Sequence, residues 1–124
     1  MKILVVDDER DVKALFEQRF RKEIRDAEMS FAFAYSGEEA LGYLNTLDHE
    51  AVLILSDINM PGMSGLDLLK QIKSSFEKPP PTVMMITAFG DDENYQLAMK
   101  LGANDFLTKP LNFTQLRDKL KSVK

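Results

Sequence analysis

The 124-residue chain contains no cysteine, and that absence alone excludes disulfides, thiolate metal centres and cysteine nucleophiles. It fits a reducing, cytoplasmic setting. A surplus of positive charge is also missing: sixteen Lys and Arg stand against twenty Asp and Glu, a net charge of −4. That balance argues against direct nucleic-acid binding over a broad footprint and against a basic membrane-binding surface. Long hydrophobic runs are lacking too. The apolar run Ile3–Val6 stops at Asp7, too short for the core of a signal peptide, and no stretch approaches membrane-spanning length. Repeats, linkers and low-complexity tracts are absent as well.

What is present suffices for one globular domain over residues 1–124. With 44% apolar and 29% charged residues, a chain of this size buries roughly two thirds of its unfolded surface without covalent staples. Short apolar runs alternate with helical patterns, the signature of parallel strands joined by crossover helices. The runs are Ile3–Val6, Phe31–Tyr35, Val52–Ser56, Val83–Thr87 and Asp105–Leu107. The first and third are apolar at consecutive positions, as inner strands covered on both faces require. Between them, Val12, Phe16, Phe20 and Ile24 form a core-facing helical stripe. Leu41, Leu44 and Leu47 form another, as do Leu69, Ile72 and Phe76. Ser36 with Glu39, Ser64 with Asp67 and Asn112 with Gln115 mark helix starts; Gly102 and Pro79-Pro80-Pro81 mark ends. Five βα units in this length indicate an α/β fold with a doubly wound parallel sheet. Such sheets bind ligands outside the carboxyl ends of their strands.

Those ends carry Asp7 and Asp8 after the first strand, Asp57 after the third, Thr87 closing the fourth and Lys109 past the fifth. Three carboxylates gathered on one edge raise each other's pKa unless a cation intervenes. Oxygen donors without nearby His or Cys favour Mg²⁺ or Mn²⁺ over zinc. Asp7 and Asp8 are adjacent, so one is expected to ligate directly and the other through water. A metal, a lysine and a threonine hydroxyl around a carboxylate describe a phosphoryl site, with Asp57 as the nucleophile. The lone His49 lies in a polar stretch and gives no reason to place a phosphohistidine in this chain, so the donor is another protein or domain.

Four blocks, in this order and spacing, resemble the receiver domain of bacterial two-component response regulators. They are Val5-Val6-Asp7-Asp8-Glu9, Asp57 through Gly65 (Asp-Ile-Asn-Met-Pro-Gly-Met-Ser-Gly), Ile86-Thr87-Ala88 and Lys109-Pro110. The resemblance covers essentially the whole chain. It implies a flavodoxin-like five-stranded sheet of order 2-1-3-4-5 and a phospho-acceptor at Asp57, charged by a sensor histidine kinase or a histidine phosphotransfer protein. It also implies metal ligation by Asp8, Asp57 and the backbone carbonyl of Asn59, with Asp7 acting through water. Thr87 then resembles the switch hydroxyl, Lys109 the phosphate-contacting lysine and Lys109-Pro110 a candidate cis bond. Phe106 stands where many relatives carry Tyr, so its ring lacks a hydroxyl to fix either switch state. Asn59 and Phe89 resemble positions that tune dephosphorylation.

The same resemblance places a partner surface for a downstream target or output domain at Tyr95, Met99 and Phe106. Tyr95 and Met99 lie four apart on the helix after the fourth strand and share a face, leaving Leu97, Ala98 and Leu101 for its core side. Three other readings compete. A Mg²⁺-dependent phosphohydrolase with an aspartyl intermediate commonly carries a second aspartate where Asn59 stands. A flavin or nucleotide module needs a Gly-, Ser- or Thr-rich loop where Asp7-Asp8-Glu9 would repel phosphate. A degenerate docking-only receiver conflicts with the complete acceptor set.

Overall fold

Consecutive β-branched and aliphatic residues make the inner strands, and the chain assembles them as the alternating pattern requires. A computed structural model describes residues 1–46, 53–75, 82–88 and 90–123. The strands are β1 (Lys2–Val6), β2 (Ser30–Ala34), β3 (Leu53–Asp57), β4 (Thr82–Ala88) and β5 (Asp105–Lys109). They pair in parallel throughout, in the order β2-β1-β3-β4-β5. This is the expected doubly wound sheet. The strand limits differ from the sequence reading by at most two residues, and the end of β1 and the start of β5 coincide with it: β4 runs on to Ala88 and β5 to Lys109, which carries Thr87 and Lys109 inside the ladder.

The helices are α1 (Val12–Arg19), α2 (Arg21–Arg25), α3 (Gly37–Asn45), α4 (Gly65–Ser75), α5 (Asp92–Lys100) and α6 (Phe113–Ser122). One face of the sheet packs Leu4, Val6, Ile54, Val83 and Met85 against α3, α4 and α5 through Ala40, Leu44, Leu69, Ile72 and Ala98. The other packs Ile3, Val5, Leu55 and Ile86 against α1 and α6 through Phe16, Phe20, Leu116 and Leu120. Phe16 is fully buried and meets Phe20, Phe31 and Phe113 at centroid distances of 5.8, 5.7 and 5.4 Å. Full burial of Phe16 and of Phe20 contributes about 1.5–3 kcal/mol each by leaving water. The three expected caps form: Ser36 accepts from the Glu39 N–H, Ser64 from Asp67 and Asn112 from Gln115.

Two core assignments are corrected. Ile24 is 37% exposed, and Glu23 is buried in its place. A strict four-residue repeat drifts by about 40° per step on a 3.6-residue helix, so Ile24 has rotated about 120° from Val12. An eleven-residue spacing returns nearly to the starting face, which puts Glu23 inward. The interruption at Phe20 accompanies this change, and the Arg117 guanidinium satisfies the Glu23 carboxylate at 3.1 Å. Leu97 is the second correction, being 42% exposed. Only the narrow Asn94, Ala98 and Leu101 stripe of the α5 segment turns inward, because Leu97 sits about 100° away from Ala98. Leu47, His49, Val52, Phe76, the proline triplet and Phe89 lie outside the described residues.

Candidate functional site

β1 and β3 are central neighbours, so the segments leaving their carboxyl ends emerge side by side. Asp7 follows β1, its backbone N–H donating to Ala34 on β2 at 3.1 Å. Its Oδ1 accepts from the Glu9 N–H at 2.9 Å, which turns the chain toward α1. Asp57 closes β3 and is buried, while Asp8 is exposed. One carboxylate oxygen from each of Asp7, Asp8 and Asp57 lies within 4.8 Å of the other two.

The Asp57 carboxylate is held from two sides. Oδ1 accepts from the Asn59 N–H at 3.3 Å, and Oδ2 accepts from Lys109 Nζ at 2.8 Å. Lys109 closes β5, beside Ala88 in the ladder, and the Lys109-Pro110 bond is cis as the motif implied. Burial works to lower the Lys109 pKa. The hydrogen bond to Asp57 and the charges of Asp57, Asp7 and Glu9 outweigh it and hold the ammonium above its usual range. Burial pushes the Asp7 carboxyl up, and the Asp57 charge adds to that push; the Glu9 N–H and Lys109 oppose it.

Thr87 is 1% exposed, and its Oγ1 is the one buried side-chain polar atom among the described residues without a hydrogen-bond partner. An orphaned buried hydroxyl is costly and calls for a partner supplied from elsewhere. Asn59 is exposed beside Asp57. Phe106 is half-buried on β5 and meets the Tyr95 ring on α5; Tyr95 and Met99 are 43% and 41% exposed. The structure therefore brings Asp7, Asp8, Asp57 and Lys109 into one cluster with Asn59 at its edge. Tyr95, Met99 and Phe106 belong to the α5 and β5 side.

Residue types alone did not reveal the part played by Gly65. A β-carbon there would stand 2.1 Å from the Asp57 carbonyl oxygen and 2.7 Å from Ile58 Cα. Only glycine lets the start of α4 press against the strand end that presents Asp57, where the Gly65 N–H donates to Ile58 at 2.8 Å.

The donor set fits a hard divalent cation. Three carboxylates crowd together and oxygen is the only donor type, while the Asp57 charge adds to the upward push that burial gives the Asp7 carboxyl. Asp7, Asp8 and Asp57 would hold such an ion.

Residues 3–121 match the family model for the response regulator receiver domain. The chain belongs to the response regulator receiver family. The receiver is 36% identical over 123 residues to the transcriptional regulatory protein CpxR of Klebsiella pneumoniae, covering 98% of this chain and 48% of that protein. The Escherichia coli K12 protein of the same name is 35% identical over the same span. The chain thus spans about half the length of the curated relatives it matches. Among solved structures, Vibrio cholerae chemotaxis protein CheY4 superposes with a TM-score of 0.78 at 28% identity, over 99% of this chain and 98% of that one. A receiver domain protein from Clostridium thermocellum gives 0.83 at 30% identity, over 98% and 91%. Among the described residues no helix is long and apolar enough to cross a membrane.

Proposed function

We propose that this receiver is the phospho-acceptor of a two-component phosphorelay, with Asp57 as the acceptor and a phosphohistidine on a sensor histidine kinase or histidine phosphotransfer protein as the donor. The observation that carries this reading is the Asp57 carboxylate itself: buried at a strand end, bonded at 2.8 Å to Lys109 and sharing its edge with two further carboxylates. A carboxylate oxygen of Asp57 attacks phosphorus, the phosphorus–nitrogen bond to the donor imidazole breaks, and the imidazole leaves with the bonding electron pair and takes up a proton. Lys109 is placed to meet a phosphoryl oxygen without leaving the site. Thr87 donates its unused hydroxyl hydrogen to another, which ends its isolation. Mg²⁺ or Mn²⁺, when bound by Asp7, Asp8, Asp57 and the Asn59 carbonyl, neutralises phosphoryl charge.

Family membership supports a regulatory acceptor over a phosphohydrolase, the alternative that shares an aspartyl intermediate. In this role the receiver turns over only its own phosphoryl group. The output is a conformational shift read through Thr87 and Phe106 at the Tyr95, Met99 and Phe106 face, to a downstream target or output domain in the cytoplasm. The experiment is a phosphotransfer screen of the purified receiver against autophosphorylated sensor kinases from the same source. Transfer from one kinase within minutes, absent from Asp57→Asn, is the expected result. Hydrolysis of a generic phosphate ester with many turnovers would favour the phosphohydrolase.

A further inference from the structure

Tyr95 and Phe106 meet edge to face, with ring centroids 4.6 Å apart and ring planes at 85°. The β4–β5 register pairs Met85 with Phe106 and Thr87 with Thr108. Paired residues of neighbouring strands project to the same side of a sheet, and alternate residues of one strand share that side. Thr87 and Phe106 therefore lie on one face, the one covered by α5. There the Thr87 hydroxyl is buried and unpartnered. A phenyl ring has neither donor nor acceptor to offer it, so no hydrogen bond fixes Phe106 in either position. The ring contact that does hold it comes from a different element, Tyr95 on α5.

We propose that Tyr95 is a positioning residue for the switch: its ring latches Phe106 at the α5 side and opposes the conformational shift, read through Thr87 and Phe106, that accompanies phosphorylation. This inference rests on the reading of Asp57, Thr87 and Phe106 given above. An edge-to-face aromatic pair biases a two-state equilibrium by about 2- to 13-fold beyond simple burial. The latch thus sets how readily the unmodified chain visits the state that Asp57 modification favours. Contact is made by the ring, so the Tyr95 hydroxyl is dispensable. Tyr95 is 43% exposed, which makes its truncation compatible with folding.

Two readouts test the latch. The first is the rate at which phosphoramidate with Mg²⁺ modifies Asp57 in wild type, Tyr95→Phe and Tyr95→Ala. Tyr95→Ala should be faster by about 2- to 13-fold, and Tyr95→Phe should match wild type. The second is fluorine NMR of the chain grown with 3-fluorotyrosine. Its three tyrosines give three resonances, and Tyr95→Phe identifies the one that matters. Beryllofluoride with Mg²⁺ should shift that resonance as the Phe106 ring leaves, and the shift should shrink in Phe106→Leu. If wild type is labelled at Asp57 but all three chains react at one rate, or Tyr95→Ala is slower, the latch is refuted while the acceptor reading stands. A Tyr95 resonance that stays still at saturating beryllofluoride refutes the latch equally. If phosphoramidate labels no wild-type residue, the acceptor reading falls and the latch falls with it.

Discussion

Lys109 Nζ donates to Asp57 Oδ2 at 2.8 Å, a bond that ties together two strand ends 52 residues apart in the chain. The carboxylate side of this pair is almost wholly buried, while the lysine side chain is 41% exposed. Losing the lysine leaves the buried Asp57 charge with the Asn59 N–H at Oδ1 but without its cation at Oδ2, whereas losing the carboxylate leaves an ammonium that water can reach.

Lys109→Ala should therefore cost stability without destroying the fold. Full burial of both partners would make the loss about 3–5 kcal/mol; exposure of the lysine reduces this to about 1–2 kcal/mol. Urea unfolding measures it. Phosphorylation by phosphoramidate should fall far more than this figure implies, because the ammonium meets the transferring group. A large stability loss with normal labelling would show that Lys109 serves only as a structural ion pair.

Mg²⁺ should stabilise the receiver by binding the native carboxylate cluster in preference to the unfolded chain. At a hundred times the dissociation constant the gain is about 2.7 kcal/mol, or about 10 °C in Tm for a chain of this length. Asp8→Ala should abolish the shift. Asp8 is exposed, so its removal alone should move metal-free stability by no more than about 0.5 kcal/mol. Calorimetry at constant ionic strength checks both, and a wild-type Tm indifferent to Mg²⁺ would reject the metal site.

Arg117→Ala should be more damaging than its surface position suggests. Its Nε bonds to buried Glu23 at 3.1 Å, its Nη2 caps the Arg19 carbonyl at the end of α1, and its guanidinium lies 5.0 Å from the Phe20 ring centroid. Truncation leaves the Glu23 carboxylate with Lys121 at 3.8 Å as its remaining partner, at a cost of about 2–4 kcal/mol. Replacing Glu23 and Arg117 together by Leu should recover most of that loss in a thermal melt.

This tie also marks where the sequence stopped being legible. Strand positions and sheet winding follow from apolar runs and caps, which are local signals. Asp7, Asp8, Asp57, Thr87 and Lys109 could be gathered because parallel winding puts every strand's carboxyl end on one edge. Glu23 could not be placed inward, since a charged residue beside Ile24 reads as surface until its partner, 94 residues away, is known. Leu97 failed similarly: its hydrophobicity suggested core, but small Ala98 occupies the close approach to the sheet. Gly65 was visible within a motif, yet its reason, backbone contact with Asp57, exists only in three dimensions.

Gly65→Ala should displace the acceptor strand end. The added methyl would overlap the Asp57 carbonyl, so a loss of at least about 3 kcal/mol is expected. Phosphoramidate labelling of the fraction that folds should slow, because the Asp57 side chain moves with its backbone. Unchanged melting and labelling would mean that α4 withdraws from β3 at little cost.

The most direct test of the account is intact-mass spectrometry of wild type and Asp57→Asn after phosphoramidate with Mg²⁺, followed by peptide mapping. The expected result is one added phosphoryl group on wild type, located at Asp57, lost on chelating the metal before reaction and absent from Asp57→Asn. A phosphoryl group on any other residue, with Asp57→Asn labelled as fully as wild type, would contradict it.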